Sequence, residues 1–496
     1  RHGATGIKTT TALTYLMLFV ALLIALGFEF VNGFHDTANA VATVIYTHTL
    51  KPTPAVVWSG MWNLIGVLVS TGGVAFGIVA LLPVELVINV GSGAGFAMVF
   101  SLLLSAMIWN VGTWYFGLPA SSSHTLIGSI VGVGLANSLI AGSHTFGDGV
   151  NWAKVNDTLA ALLLSPVIGF VCAGGLYLLM RLLVRAPELY REPPKDQPPS
   201  FWIRALLVLT CTGVSFAHGS NDGQKGMGLL MLILIGIIPG VYALNPGLSA
   251  AAVSQLHATS ISASSVLDRL SAGKTLPPAD ASNGLNAFLK TSGRLSATTW
   301  AALATTNREI TTDLDGKTSL NDVAPAQRGT VRSHIYQVSA TISKLDKLKA
   351  FTNPDEDKAL KAYRSQLDGA TNFIPVWVKV AVALFLGFGT MIGWKRIVVT
   401  VGERIGKTHM TYSQGASAEI VAYATIEAAT VSALPVSTTH ILSSGVAGTM
   451  FASGSGLQTA TVRNILLAWV LTLPVATFLG AMFFAFGFRI VSSFHT

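Results

Sequence analysis

Two polar motifs, each present twice and each set inside otherwise apolar sequence, narrow the folds open to this chain. Asn32-Gly33-Phe34-His35-Asp36-Thr37-Ala38-Asn39-Ala40 has an altered counterpart in His218-Gly219-Ser220-Asn221-Asp222-Gly223-Gln224-Lys225-Gly226, and Leu118-Pro119-Ala120-Ser121-Ser122-Ser123-His124 has one in Leu434-Pro435-Val436-Ser437-Thr438-Thr439-His440. Duplicated polar breaks in apolar segments are how a membrane carrier builds a central site, each half contributing interrupted helices that meet near mid-bilayer. Composition agrees: 11% of residues are charged and 51% hydrophobic, where a soluble domain is about a quarter charged.

The apolar runs 12–31, 55–82, 96–116, 159–184, 373–394 and 465–488 approach or exceed the roughly 20 residues a spanning helix needs. Shorter runs at 126–141, 201–217, 227–244, 416–434 and 441–452 flank the motifs. Together they predict an all-α polytopic membrane protein with about 10–12 membrane elements, some of them not crossing fully. The first run follows Arg1 and Lys8, yet it is too long for a signal peptide and leads into Glu29 and the Asp36 motif rather than a cleavage site. Cys172 and Cys211 both lie in apolar runs and offer neither a disulfide framework nor metal-ligand spacing.

The net charge of +8 is scattered through short loops, so nucleic acid is not an expected partner; the charges report topology instead. Arg181, Arg185, Arg191, Lys195 and Arg204 surround a Pro-rich linker at 187–200, and Lys395, Arg396, Arg404 and Lys407 form a second cluster. Both are expected on the cytoplasmic side. Residues 245–375 differ, with 14 Lys or Arg and 11 Asp or Glu among 131 positions and the mixed spacing of amphipathic helices. This stretch is expected to be a soluble, mainly helical insert, and because the following span ends at Lys395-Arg396 it is placed in the periplasm.

Asp36 and Asp222 are 186 residues apart and Ser121 and Ser437 are 316 apart; the difference of 130 is close to the insert's length. Without the insert the halves match: a first transmembrane repeat at 1–186, and a second made of 201–244 and 376–496. Each reads as an Asp-containing break, several spans, then a Pro-Ser-rich break and a Gly-rich helix. Inversion is the commoner arrangement when both halves supply a central site.

A helix that stops at Leu118-Pro119 and restarts through Ser121, Ser122 and Ser123 aims free backbone N–H groups, a positive dipole end and hydroxyls at one point. Ser437, Thr438 and Thr439 repeat the device, so the pair could hold a tetrahedral oxyanion from two sides; the competing role for each Ser is a plain helix cap. Asp36 and Asn39 share a helix face, with Asn32 one turn earlier, and such oxygen ligands suit a hard cation or a proton relay. Lys225 takes the place of Asn39 in the second copy and can neutralise Asp222 three residues before it, which would repel a bound sodium ion. His35 is a candidate proton carrier. Glu29 and Glu427 are further acids in apolar runs. His124 and His440 follow the hydroxyl clusters without a carboxylate or Cys beside them, so no resident metal or cofactor is read. No nucleophile-base-orienter set suggests an enzyme.

The Gly33-Phe34-His35-Asp36-Thr37-Ala38-Asn39-Ala40 stretch, His218-Gly219-Ser220-Asn221-Asp222 and the two Pro-Ser/Thr-His motifs resemble the inorganic phosphate transporter (PiT) family, in particular its bacterial low-affinity branch. The resemblance covers nearly all the chain outside the insert. It implies a multi-pass symporter of the bacterial inner membrane, built of inverted repeats, homodimeric, that imports inorganic phosphate with a cation. It further implies that Asp36, Asn39, Asn221 and Asp222 serve the cation and that Ser121, Ser122, Ser123, Ser437, Thr438 and Thr439 hold phosphate. Phe34, His35, Gly223, Gln224 and Lys225 depart from the family's Gly-Ala-Asn-Asp pattern. Those departures put sodium coupling in doubt, and the bacterial branch that the chain resembles implies proton symport, with phosphate carried alone or as a divalent metal complex, which fits Lys225; the alternative is a sodium-coupled phosphate or sulfate carrier.

Overall fold

The computed structural model describes all residues except 1, 37, 83–86, 88–91, 141–146, 149, 195–196, 291 and 494–496, and the side chains of 2–14, 38 and 39 are also outside the description. Helices account for the fold. In the first half they are α1 (His2–Asp36), α2 (Ala38–Tyr46), α3 (Pro52–Val69), α4 (Gly73–Val79), α5 (Gly93–Tyr115), α6 (Ser122–Ile140) and α7 (Trp152–Leu183). Then come α8 (Phe201–Ile237), α9 (Pro239–Tyr242), and the insert helices α10 (Ala250–Leu270), α11 (Pro278–Leu289), α12 (Ala297–Leu314), α13 (Arg328–Lys347) and α14 (Pro354–Thr371). The chain finishes with α15 (Val376–Met391), α16 (Lys395–Glu403), α17 (Tyr412–Val431), α18 (Thr438–Ser453) and α19 (Thr459–Ser493).

Among the described residues seven helical segments are long and apolar enough to cross a membrane, or eight if the pair α14–α15, bent by 72°, counts as one. Helix α14 carries Asp355, Glu356, Asp357, Lys358, Lys361 and Arg364, so only α15 supplies the apolar part of that pair. Helix α2 belongs to the first of these segments, Tyr15–Tyr46, whereas α4, α16 and α18 are too short to cross alone.

Two apolar cores lie at opposite ends of the membrane bundle. One holds Ala21, Ala25 and Phe28 of α1, Leu126 to Val133 positions of α6 and Leu229 to Leu234 of α8, and Tyr242, Tyr336 and Phe373 near the insert pack on it. The other holds Val41 and Val44 of α2, Leu207 and Val214 of α8, Ile441 and Val446 of α18, and Leu189, Ile203, Ile397 and Val401 beside the two basic clusters. Polar residues fill the level between them. Helix α1 therefore runs from the insert end toward the basic end, whereas α8 runs the other way; α6 and α18 likewise diverge from the centre in opposite senses.

Packing between the halves is reciprocal: α1 lies on α15 as α8 lies on α3, and α6 lies on α19 as α18 lies on α7. Small residues make these crossings close. A Cβ at Gly33 would sit 2.3 Å from the Leu386 carbonyl oxygen and one at Gly389 would sit 2.2 Å from that of Phe30, so α1 and α15 touch through bare backbone. Gly66 and Gly219 do the same for α3 and α8, with clashes at 2.2 Å and 2.1 Å.

One expectation fails. The second Asp motif was expected to break its helix, but α8 continues unbroken from Phe201 to Ile237 through Gly219, Gly223 and Gly226. Close packing of those glycines on α3 and α1 offsets their poor helix propensity. In the first copy α1 ends at Asp36 and α2 begins at Ala38, with Thr37 outside the described residues.

The insert helices enclose a separate core including Leu256, Leu285, Leu303, Ile335, Val338, Tyr363 and Leu367. Its neck is fastened where the chain leaves and rejoins the membrane. Asn245 N donates to Ala370 O at 2.9 Å and Asn245 Nδ2 to Gly369 O at 3.0 Å. The buried Arg332 guanidinium donates to Thr371 O at 3.1 Å and Ala243 O at 3.5 Å, and burial pulls its pKa down to about 10.

Candidate functional site

The two Pro-Ser/Thr motifs interrupt the chain between α5 and α6 and between α17 and α18. The first hydroxyl of each is spent as a cap: Ser121 Oγ accepts from His124 N at 3.2 Å and Ser437 Oγ from His440 N at 3.1 Å. That frees the next two hydroxyls of each break to face the centre, alongside unsatisfied first-turn N–H groups. Ser122 Oγ donates to Asp36 Oδ2 at 2.9 Å, and Thr439 Oγ1 donates to Asp36 Oδ1 at 2.6 Å. The openings therefore converge on one carboxylate. They also touch directly, Ser123 Oγ donating to Val436 O at 2.7 Å. Thr438 is buried with its hydroxyl lacking a hydrogen-bond partner.

Around Asp36, His35 bridges from Asp36 Oδ1 to Thr113 Oγ1, 3.1 Å on either side. Asp222 lies across Ser122, whose Oγ is 3.4 Å from Asp222 Oδ2. Lys225 Nζ pairs with Asp222 Oδ1 at 2.8 Å and donates to Ser123 Oγ. Both partners are buried, so the ammonium and carboxylate must satisfy each other. The third position of each break thus reaches the other half's Asp motif: Ser123 meets Lys225 and Thr439 meets Asp36.

Asn221 is placed elsewhere. Its Nδ2 donates to Thr430 Oγ1 at 2.9 Å and Leu434 O at 3.2 Å, and its Oδ1 accepts from Val436 N at 3.5 Å. It braces the second break. Asn39 belongs to α2, and its side chain lies outside the described residues. The His124 and His440 rings lie with centroids 4.6 Å apart and planes tilted by 36°, and His440 stacks on Trp469 at 3.9 Å. Glu427 is half-buried on α17, away from this cluster's hydrogen bonds.

Sequence patterning passed over two buried titratable residues, the first of them in this cluster. His218 Nε2 stands 3.6 Å from Asp222 Oδ2 and 3.9 Å from Asp36 Oδ2, while its Nδ1 meets Asn63 Oδ1 at 2.9 Å. Its position one turn before Asp222 was the available signal. Asp36, His218 and Asp222 each offer a ligand atom, these atoms lie within 4.8 Å of one another, and all three residues are buried. Glu419, fully buried on α17, accepts hydrogen bonds from Thr43 and Thr210 toward the basic end of the bundle.

Comparisons with known proteins agree with one another. The Phosphate transporter family model matches residues 32–480. Low-affinity inorganic phosphate transporter PitA of Escherichia coli (strain K12) is 43% identical, over 94% of this chain and 95% of that protein. PitB of the same strain is also 43% identical, with the same shares covered. The low-affinity inorganic phosphate transporter of Buchnera aphidicola subsp. Acyrthosiphon pisum is 40% identical over 95% of this chain and 96% of that protein. A solved structure described as the sodium-dependent phosphate transporter aligns with a TM-score of 0.51 over 95% of this chain and 98% of that one, at 18% identity, which speaks for a shared fold.

Proposed function

The chain belongs to the phosphate transporter family, and from that premise we propose that it imports inorganic phosphate across the bacterial inner membrane as a proton-coupled symporter. The observation that carries this reading is the meeting of Ser122 and Thr439, one from each break, on the Asp36 carboxylate. A tetrahedral oxyanion can replace that carboxylate as the acceptor of the same hydroxyls, joined by Thr438 and the helix N-termini. Being held by hydroxyls and amides rather than by Arg, it can also be released.

Inorganic phosphate is a mixture of mono- and dianion at neutral pH, so accumulation against a negative-inside potential needs positive charge moved with it. Lys225, ion-paired in the second Asp motif, disfavours sodium at the position where the first copy has Asn39. The Asp36, His218 and Asp222 donor set also suits a divalent cation arriving with phosphate as cargo, since such an ion keeps few protein ligands and shares the anion's oxygens. The opposed senses of α1 and α8 support an inverted two-fold relation of the halves, with the insert on the periplasmic face. The family relationship supports a homodimer.

Uptake of labelled phosphate into proteoliposomes, with a proton gradient and a sodium gradient imposed separately, tests the coupling. Stimulation by the proton gradient is expected. Stimulation by sodium alone would replace protons with sodium, and sulfate uptake at the same rate would remove phosphate as the specific cargo.

A further inference from the structure

We propose that Glu29 is the residue that takes up the coupling proton, from water on the insert side, before phosphate loads. The inference rests on the proton-coupled reading above and assigns its carrier. Glu29 is completely buried, and neither carboxylate oxygen has a hydrogen-bond partner in good geometry. The Asn32 amide, one turn on, is likewise buried without a hydrogen-bond partner. Charge held in such a place is expensive, and an acid at membrane depth is a functional group by default.

The fold makes room for this group. The glycine at 226 presses against it: a Cβ there would lie 2.3 Å from the Glu29 carboxyl carbon and Oε1. The carboxyl therefore rests on the backbone of α8 next to Lys225 and one turn from Asp222. It stands seven residues before Asp36, about 10 Å along the helix at 1.5 Å per residue. That displacement points toward the insert end, where α1 enters the apolar core of that side.

The charged groups acting on Glu29 are Asp222 and Lys225 from α8 and Asp36 from its own helix. Helices α3 and α5 carry no charged side chain, α6 contributes only His124, and Lys379 of α15 donates to the Ser70 carbonyl instead. With Glu29 ionised, the four groups Glu29, Asp36, Asp222 and Lys225 sum to −2; with Glu29 neutral they sum to −1. In a low-dielectric centre that difference weighs heavily against an incoming anion. One proton from water on the insert side binds a Glu29 oxygen, phosphate then enters, and after the site reopens the proton leaves to water on the basic side with the anion. Lys225 transmits the change, because its charge acts on Glu29 while its ammonium holds Asp222 and Ser123.

Full-length protein in proteoliposomes separates this role from a structural one. Two rates are needed: accumulation of labelled phosphate driven by a pH gradient, and phosphate exchange at equal pH. Glu29→Gln should cut gradient-driven accumulation by at least about tenfold, the scale of a typical coupling free energy, while exchange persists and loses its pH dependence. Gly226→Ala, which displaces the carboxyl without removing it, should split the two rates in the same way and serves if the Gln variant assembles poorly. Equal loss of both rates, or full gradient-driven accumulation in Glu29→Gln, would overturn the assignment. A wild-type protein indifferent to the pH gradient would instead overturn proton coupling itself, and this inference with it.

Discussion

Asp36 and Asp222 occupy the same point of the same motif, yet their surroundings use them differently. Asp36 accepts from both helix openings, through Ser122 and Thr439, and from His35. Asp222 is claimed by Lys225 on its own helix at 2.8 Å. One carboxylate is held by groups a substrate could borrow, the other by a fixed counter-charge. Where the first motif has Asn39 the second has Lys225, and that ammonium ties Asp222 down while Asp36 stays with hydroxyls from both breaks.

The contrast can be broken most forcefully at Lys225. Lys225→Met leaves Asp222 buried without its counter-ion and should cost about 3–5 kcal/mol of stability. A thermal unfolding series in detergent would show it, with Asp222→Asn in the same chain restoring much of the loss. A single variant as stable as wild type would mean that Asp222 is not locked. Next in size is Asp36→Ala, which strands two hydroxyls at about 1–3 kcal/mol each. Phosphate uptake should fall on the order of 100-fold, at tenfold per 1.4 kcal/mol, while the Asp222–Lys225 pair keeps the protein folded.

Ser122→Ala removes the hydroxyl between the two aspartates and should lower uptake by about tenfold, consistent with one lost charge-assisted bond of about 1.5–3 kcal/mol. If Ser123→Ala, whose contacts are Lys225 and Val436 O, is equally damaging, the distinction between responsive and fixed sides fades. The smallest effect sharpens the comparison at Thr438, whose buried hydroxyl has no partner. Thr438→Val should leave stability unchanged or raise it by up to about 1 kcal/mol, yet weaken phosphate binding measured by calorimetry. Unaltered binding would remove Thr438 from the anion's contacts.

Much of this was legible in the sequence because its signals are local. Runs of apolar residues, the Pro that ends a helix and the Ser or Thr that restarts it act within a turn or two, so both breaks and the separate helical insert follow from the chain alone. The behaviour of α8 was not legible. Gly219, Gly223 and Gly226 weaken a helix locally, and only the backbone of α3 lying against Gly219 and the Glu29 carboxyl against Gly226 explain why they are there. Glu419 escaped because a single acid disappears in the average of an apolar window; its partners Thr43 and Thr210 come from segments hundreds of positions away. His218 sat in plain view, but its value depends on Asp36, which no spacing rule connects to it.

The glycine crossings have a consequence for how the protein comes into being. Gly33 seats α1 against Leu386 and Gly389 of α15, about 350 positions later in the chain. Helix α1 must therefore wait in the lipid while about 350 further residues are made before its partner arrives. During that wait its small-residue face and the acids beside it are uncovered, which makes the early helices of this carrier natural clients of whatever shelters unfinished membrane proteins.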